Sequence, residues 1–192
     1  MPLVLKRHIN PYTTLAIWEM KEPIDELLQT TLSIPDHIHN TQRKREWISS
    51  RLLLEEIAPT NSISYNSYGA PQLSNGHAIS ISHSLNYCCI LISKKRAAID
   101  LELITTKAAK LSAKFIHLEE QALISENAEQ CTLIWCAKEC LFKLHQKGNL
   151  IFKEDLRIHC ITANTLKTSS KNTPHLLHYE IFKNHYLVYY YE

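Results

Sequence analysis

The chain has 192 residues, of which 45% are hydrophobic and 21% are charged, as is typical of a soluble globular protein. Its formal net charge of +2 at pH 7 is too small to indicate nucleic acid binding by itself. The longest apolar run, residues 87–92, is far too short to cross a bilayer, and the N-terminal apolar run is too short for a signal peptide. We therefore expect a cytoplasmic protein that binds neither membranes nor nucleic acid.

Glycine and cysteine usage exclude two further kinds of site. The chain has only three glycines and neither of the glycine-rich loops that cradle phosphates, so any phosphate must be bound by side chains and a metal ion. Its six cysteines lie in strand-like or helix-like segments and include no C-x-x-C pair. Without a secretion signal they are expected to be reduced core residues rather than disulfides or zinc ligands.

The first half of the chain has the periodicity of strands and helices in blocks. The pattern predicts elements at residues 3–10, 13–19, 24–32, 35–57, 62–65, 78–84 and 86–93, of which the third and fourth are helices. A further strand follows around Asp100 and Glu102 after a short turn. The last three strands together predict an antiparallel meander.

The second half continues with helices and ends in strands. Helices are predicted at residues 107–115, 118–126 and 131–148, and strands at 156–162, 175–183 and 186–190, with a polar turn region at 168–174. Strands and helices occur in blocks rather than in strict alternation. We therefore expect an α+β fold with antiparallel sheets.

The helix that ends at Gly148 has two unlike faces. At about 100° per residue one face is entirely apolar, whereas the other carries Glu139 and Lys143 between the aromatic Trp135 and Phe142. A helix that is apolar around most of its circumference is normally buried, so this second face is expected to line a cleft. The alternative is an ordinary pair of opposite charges four residues apart, which stabilises a helix by about 0.2–0.5 kcal/mol.

A second acidic pair upstream favours the cleft. Asp100 and Glu102 alternate with Ile99 and Leu101, so both carboxylates lie on the same face of a strand. Two like charges this close repel each other unless a cation or water separates them. Together with Glu139 they would form a site for a hard divalent ion such as Mg²⁺, which prefers carboxylates, water and phosphate oxygens.

Five stretches in the correct order resemble motifs of the 4′-phosphopantetheinyl transferases, specifically the type that activates surfactin and other peptide synthetases. They are Tyr68-Gly69-Ala70-Pro71, Ile81-Ser82-His83-Ser84, Ala98-Ile99-Asp100-Leu101-Glu102, Phe115 with Glu120, and Trp135-x-x-Lys138-Glu139-x-x-x-Lys143. They cover residues 68–148, with looser similarity over residues 45–57.

The resemblance implies two pseudo-equivalent halves, residues 1–95 and 96–192, each a helix packed on a small antiparallel sheet, with the active site in the cleft between them. It implies a holo-acyl-carrier-protein synthase type of activity, which moves the phosphopantetheine arm of coenzyme A to a serine of an apo acyl or peptidyl carrier protein. The reaction would use Mg²⁺ or Mn²⁺ and release adenosine 3′,5′-bisphosphate. A cleft formed within one chain makes a monomer the simpler expectation.

The resemblance also assigns roles to individual residues. It implies that Asp100, Glu102 and Glu139 bind the metal, and that Asp100, Glu139 and Lys143 form the catalytic group. The residues expected to contact the coenzyme are Arg45, Ser82, His83, Lys138 and Lys143. Either Glu139 or a metal-bound water would take the proton of the carrier serine, and the sequence does not choose between them.

Two departures from the family pattern leave an alternative function open. Ala70 replaces a lysine that contacts the nucleotide end of the coenzyme, and Ala98 replaces a glycine that allows close approach of the backbone. A chain weakened in this way would be a non-catalytic module that binds coenzyme A or a carrier protein. Glu120 has two interpretations, as an acid at a helix start or as a neighbour of the metal.

Overall fold

The computed structural model describes residues 2–30, 32–124 and 128–192. Within them the strands are β1 (Leu3–Asn10), β2 (Thr13–Glu19), β3 (Ile63–Tyr65), β4 (Pro71–Leu73), β5 (Ala78–Ser84), β6 (Tyr87–Ser93), β7 (Ala97–Leu103), β8 (Leu156–Ile161), β9 (Thr165–Ser170), β10 (Thr173–Phe182) and β11 (His185–Tyr191). The helices are α1 (Ile24–Leu27), α2 (Thr41–Ile57), α3 (Lys107–Leu111), α4 (Ala128–His145) and α5 (Phe152–Asp155), with 3-10 turns at Ser112–Lys114 and Leu118–Leu123.

Two antiparallel sheets organise the molecule. The first has the strand order β1-β2-β6-β5, the second β7-β11-β10-β9-β8, and β3 and β4 form a separate small ribbon. All pairings between neighbouring strands are antiparallel. The predicted α+β fold with antiparallel sheets is therefore confirmed.

Three apolar clusters connect the layers in the order helix, sheet, sheet, helix. Leu53 and Leu54 of α2 pack against the outer face of the first sheet, and α4 packs against the second sheet through a larger cluster. Between the sheets lies a third cluster, in which Leu15 and Leu91 of the first sheet meet Ile99 of the second. Each sheet thus buries one face against a helix and the other against the opposite sheet.

The predicted meander of β5, β6 and β7 is wrong in its third strand, because β7 pairs with β11 of the second sheet. Three serines of β5 face the free edge of β7 instead. The hydroxyl oxygens of Ser80, Ser82 and Ser84 accept from the N–H groups of alternate β7 residues, Ile99, Leu101 and Leu103, at 2.9, 3.3 and 3.1 Å. At the junction of the two sheets, these serine hydroxyls therefore accept from strand N–H groups, as the carbonyl oxygens of a neighbouring strand do within a sheet.

Several other boundaries differ from the prediction. The helix predicted at 24–32 is helical only over Ile24–Leu27, and the next helix begins at Thr41, where the Asn40 side chain accepts from the Arg43 N–H. The polar region predicted as a turn at residues 168–174 includes the end of β9 and the start of β10, and only residues 171–172 between these strands form the turn. Thr168 and Ser169 are buried in the second sheet. The end of the helix predicted at 118–126 lies partly outside the described residues.

The described residues give two further results. No helix among them is long and apolar enough to cross a membrane. All six cysteines are free thiols, and all except Cys160 are buried.

Candidate active site

Helix α4 presents the two faces that its sequence predicts. Ile134, Ala137 and Leu141 are fully buried in the C-terminal core. Glu139 and Lys143 are half-buried on the other side. Phe142 and Lys143 of this second face line a cavity of about 260 Å³, so part of the face borders a cleft.

Strand β7 brings Asp100 to the same place. Its side chain is only 4% exposed, and Lys143 Nζ lies 2.6 Å from Asp100 Oδ1. Ser82 donates its hydroxyl to the same carboxylate oxygen at 2.8 Å. Burial would lower the pKa of Lys143, but the charge of Asp100 and its hydrogen bond outweigh burial and raise that pKa. Lys143 is therefore a fixed positive charge at neutral pH.

The other two carboxylates are half-buried and have raised pKa values. Glu102 Oε1 accepts from the indole N–H of Trp135 at 2.9 Å, but burial and the charge of Asp100 raise the pKa of Glu102 above its ordinary value. Burial and the nearby Asp100 likewise raise the pKa of Glu139 to about 7, against an opposing effect of Lys143. The charge of Asp100 thus disfavours the ionised forms of both Glu102 and Glu139, and the charge of Glu102 adds to this effect at Glu139.

The donor set fits a hard divalent ion. Among the described residues, no three His, Cys, Asp or Glu side chains stand in a ready-made ligand geometry. Trp135 donates to Glu102, and Lys143 donates to Asp100. Asp100 Oδ2, however, is buried and has no hydrogen-bond partner in the described part of the chain. A free carboxylate oxygen beside two carboxylates with raised pKa values is the arrangement that a bound Mg²⁺ would relieve.

A cavity of about 260 Å³ adjoins this group and contains Lys143 in its wall. One side is formed by α4 and the residues after it, and the other by β5 and the turn at Gly69. Ala70 lines the cavity, so the absent lysine would have pointed to this region. Ala98 causes no disruption, because β7 pairs with β11 in unbroken register.

His83 lies where this cavity meets a second one of about 490 Å³. The residue is half-buried, and its Nε2 atom, which is itself buried, has no hydrogen-bond partner among the described residues. Burial and the positive charges of Lys143, Arg43 and Arg51 lower the pKa of His83 to about 3. The neutral ring and the surrounding cations form an environment that favours an anion.

The sequence predicted that Arg45 contacts the coenzyme, but other arginines line this second cavity. Arg43 and Arg51 line it with His83, whereas Arg45 lies outside the lining of both cavities in the described chain. The Arg51 guanidinium is 4.0 Å from the centre of the Trp47 ring and also donates to the Tyr65 hydroxyl at 3.3 Å. Helical spacing gives the signal for this pair, because Arg51 lies four residues after Trp47 on the same face of α2.

Lys138 corrects a second prediction. Its ammonium group is fully buried and donates to the Phe115 carbonyl at 2.6 Å, the Glu120 carboxylate at 2.7 Å and the Phe152 carbonyl at 3.1 Å. Glu120 also accepts from the backbone N–H groups of His117 and Ile158. Both residues therefore have a structural role inside the C-terminal core. This role replaces the coenzyme contact expected of Lys138 and, for Glu120, the position near the metal.

Ser82 has a different task from the one expected. Its side chain lies at the junction of the two sheets, where it donates to Asp100 and accepts from the Leu101 N–H. The residue is 6% exposed and is absent from the lining of the cavity that Lys143 borders. Ser82 thus orients a carboxylate of the candidate site, while His83, the next residue, faces the cavities.

Comparison with known proteins identifies a family for the C-terminal part of the chain. The family model of the 4′-phosphopantetheinyl transferase superfamily matches residues 96–190. This range contains the strand of Asp100 and Glu102 and the helix of Glu139 and Lys143. No curated protein matches the chain significantly. Through residues 96–190 the chain belongs to the 4′-phosphopantetheinyl transferase superfamily.

Proposed function

We propose that the protein transfers the phosphopantetheine arm of coenzyme A to a serine of an apo acyl or peptidyl carrier protein, with Mg²⁺ as its metal. The observation that carries this proposal is that Lys143 pairs with Asp100 beside Glu102 and Glu139. Lys143 also lines a cleft to which both halves of the chain contribute. The family match supports the transfer of phosphopantetheine, and the choice of metal and acceptor rests on the chemistry of the site.

The residues present divide the work of phosphoryl transfer among them. Asp100, Glu102 and Glu139 would hold the metal, which when bound neutralises negative charge on the pyrophosphate. Lys143 adds a positive charge that stays in place because Asp100 holds it at 2.6 Å. Such a preorganised charge stabilises the transferring phosphoryl group without reorganisation during the reaction.

The bond changes follow from the two reactants. The serine oxygen forms a bond to the phosphorus that carries the pantetheine arm, and the bond from this phosphorus to the bridging oxygen breaks. Adenosine 3′,5′-bisphosphate leaves with that oxygen. The serine proton needs an acceptor, and the half-buried carboxylate of Glu139 is the residue of this group proposed to take it.

The cations around His83 are assigned to the nucleotide end of the coenzyme. Arg43, Arg51 and the neutral ring of His83 line the 490 Å³ cavity, together with Glu46, which pairs with Arg43 at 3.2 Å. This cavity meets the cavity of Lys143 at Tyr65 and His83. A molecule with a phosphate group at each end of its nucleotide is complementary to these two guanidinium groups. Because one chain supplies both walls of the cleft, the active unit is proposed to be a monomer.

The test is intact-protein mass spectrometry of a carrier after incubation with the protein, coenzyme A and Mg²⁺. We expect the carrier to gain the mass of one phosphopantetheine group, and we expect EDTA to prevent the gain. Asp100→Ala and Glu139→Ala should both abolish transfer, whereas Glu55→Ala, at an exposed carboxylate of α2, should not. Full activity in either of the first two variants would overturn the metal assignment.

Ala70 favours a second candidate, a module that binds coenzyme A or a carrier without transfer, because it gives the 260 Å³ cavity a methyl group where a cation was expected. Calorimetry separates the two functions. Coenzyme binding without any mass gain, on fatty-acid and on peptide-synthetase carriers, would favour the module, and transfer on either carrier would exclude it.

A further inference from the structure

We propose that a basic cavity on the other side of the loop after α4 binds a polyphosphate, at a site separate from the one assigned to the coenzyme. The basic cavity has a volume of about 790 Å³ and lies between the hairpin of β4 and β5, the connection from β6 to β7 and the end of α4. Its basic wall residues are His77, Lys94, Lys95, Arg96, His145 and Lys147. The inference goes beyond the transferase proposal and does not depend on it.

The wall of the basic cavity carries an excess of positive charge. It contains four lysine or arginine side chains, whereas Glu192 is the one acidic residue among those that line it. Arg96 lies 3.6 Å from the Glu192 carboxylate and is partly neutralised by it. The side chains of Lys95 and Lys147 are exposed and form no ion pair within the described chain. Cations that converge on one concave surface without acidic partners attract anions.

His145 lies within this positive field. Burial lowers the pKa of its imidazole, and the positive charges of Lys171, Lys147 and Arg96 lower that pKa further, against an opposing effect of Asp155. A neutral imidazole beside several cations adds a hydrogen-bond donor to the wall and no further charge. The second histidine of the wall, His77, lies opposite the end of α4 at the start of β5.

Both segments that carry the free lysines are held in place by the rest of the fold. The Lys94 N–H donates to the Tyr12 carbonyl at 3.1 Å, and the Arg96 carbonyl accepts from the Glu192 N–H at 3.1 Å, so the connection that carries Lys95 is fixed at both ends. In the loop after α4, Gln146 has a φ of 59°, a left-handed conformation that is uncommon outside glycine.

A contact with the small ribbon of β3 and β4 holds this strained loop. The Gln146 carbonyl accepts from the side-chain amide of Asn66 at 3.3 Å, and the Asn66 side-chain oxygen accepts from the N–H groups of Tyr68 and Ala70 at 2.9 Å each. Lys147 is therefore positioned at the cavity before any ligand binds. A wall that is already ordered lowers the entropic cost of binding.

The wall chemistry favours a chain of phosphate groups. Because the free cations come from two different segments, a ligand with several negative charges along its length suits the cavity better than a single phosphate does. The volume lies within the range of about 300–1,000 Å³ that holds small ligands. None of the residues lining the cavity is Phe, Tyr or Trp, so a nucleobase finds no aromatic ring on which to stack.

The basic cavity is a neighbour of the proposed coenzyme site but is not part of it. It meets the 260 Å³ cavity at Pro71 and Gln146, which line both. Neither Lys143 nor His83 lines the basic cavity. A polyphosphate and the coenzyme are therefore expected to bind at the same time.

The test is calorimetry with inorganic triphosphate in EDTA, on wild type and on two double variants. Lys95→Met/Lys147→Met removes two cations of the basic cavity, and Lys110→Met/Lys114→Met removes two exposed lysines that do not line it. We expect wild type saturated with coenzyme A to bind one further triphosphate. The first variant should bind it at least about tenfold more weakly, because charge-assisted contacts are lost, and the second less than about threefold. Urea unfolding of both variants should match that of wild type, since all four lysines are exposed.

Three results would overturn the polyphosphate site. Equal triphosphate affinity in the two double variants would show that binding depends only on net charge. Loss of triphosphate binding on addition of coenzyme A would place the triphosphate in the coenzyme cleft. Adenosine triphosphate should bind no more tightly than inorganic triphosphate, and tighter binding would identify a nucleotide site instead.

Failure of the transferase proposal would be visible separately. A wild-type protein that neither binds coenzyme A nor modifies a carrier would remove that proposal alone. The difference in triphosphate affinity between the two double variants can be measured without the coenzyme and would still decide whether the basic cavity binds a polyphosphate.

Discussion

Lys143 Nζ lies 2.6 Å from Asp100 Oδ1 and 3.1 Å from the carbonyl oxygen of Ile99, so the last turn of α4 is tied to the middle of β7 by one ammonium group. Asp100 is 4% exposed and Lys143 25% exposed at the side chain. Removing the cation beside a buried carboxylate lowers the stability of the folded protein by far more than the ion pair itself contributes to it. The pair therefore stabilises the fold as well as forming part of the candidate active site. A bound metal would supply the same counter-charge to Asp100 as Lys143 does.

Lys143→Met should destabilise the protein in EDTA by about 3 kcal/mol, because it leaves Asp100 buried and uncompensated. Added Mg²⁺ should restore a large part of this loss, since the ion neutralises the same carboxylate. Urea unfolding with EDTA and with Mg²⁺ measures both effects. Lys147→Met, at an exposed lysine just after α4, is the control and should change stability by less than about 0.5 kcal/mol. A Lys143→Met variant as stable as Lys147→Met would contradict this account.

Glu139 should make stability in EDTA depend on pH. Its pKa is raised from 4.5 to about 7 in the folded state, so the folded state holds a proton that the unfolded state has lost between these values. Its stabilising contribution is complete below pH 4.5 and declines as the pH rises through 7, by at most about 3 kcal/mol.

Replacing Glu139 with Gln removes this titration. The free energy of unfolding of Glu139→Gln should therefore increase relative to that of wild type between pH 5 and pH 8 in EDTA, so that the variant becomes the more stable protein. Glu55→Gln, at an exposed carboxylate, provides the baseline. With Mg²⁺ present the order should reverse at pH 8, because the ion binds the ionised carboxylate. A pH-independent difference between Glu139→Gln and wild type would show that Glu139 titrates normally.

Local periodicity was sufficient to find the centre of the candidate site. Asp100 and Glu102 alternate on one strand, and Glu139 and Lys143 lie four residues apart on one helix, so their faces could be read directly from the sequence. The same rule should have excluded Lys138 from the cleft. Lys138 lies four residues after Ile134 and three before Leu141, on the buried face.

The long-range partners could not be read in this way. Ser80, Ser82 and Ser84 alternate visibly, but nothing near them in the sequence indicates that they accept from the edge of β7. A strand following a short turn normally pairs with its predecessor, which is why a meander was predicted. The apolar cluster between the sheets instead favours the observed arrangement, in which β6 belongs to the first sheet and β7 to the second.

Lys138→Met should destabilise the protein strongly without changing coenzyme binding in the molecules that remain folded. The variant leaves the Glu120 carboxylate, which is 1% exposed, without its cation, at a cost of about 3–5 kcal/mol. The double variant Lys138→Met/Glu120→Gln should recover part of this loss, because no buried charge remains. Urea unfolding gives the stabilities, and calorimetry with coenzyme A at low temperature gives the affinity. A coenzyme affinity reduced tenfold in the folded double variant would return Lys138 to the binding site.

Ser80→Ala should cost about 1–3 kcal/mol, because the buried Ile99 N–H loses its acceptor. Ser84→Ala should cost less, since Ser84 is only half-buried and water can replace its hydroxyl. Ser64→Ala, at an exposed position of β3, is the matched control. Chemical denaturation of the three variants tests the order. Equal stability of Ser80→Ala and Ser64→Ala would mean that the sheets do not depend on these hydroxyls.

Arg51, rather than Arg45, should govern affinity for the coenzyme. Arg51 lines the cavity of His83 and is held over the Trp47 ring, so its charge is already positioned for an anion. Arg51→Met should weaken binding of both coenzyme A and adenosine 3′,5′-bisphosphate by about tenfold to a hundredfold, as expected for a charged hydrogen bond of about 1.5–3 kcal/mol. Arg45→Met should weaken either ligand less than about threefold, because its side chain lies outside the cavity lining. Calorimetry at two salt concentrations measures these affinities, and the salt dependence should fall in Arg51→Met alone. The opposite order of the two variants would restore the assignment that the sequence suggested and would move the nucleotide away from His83.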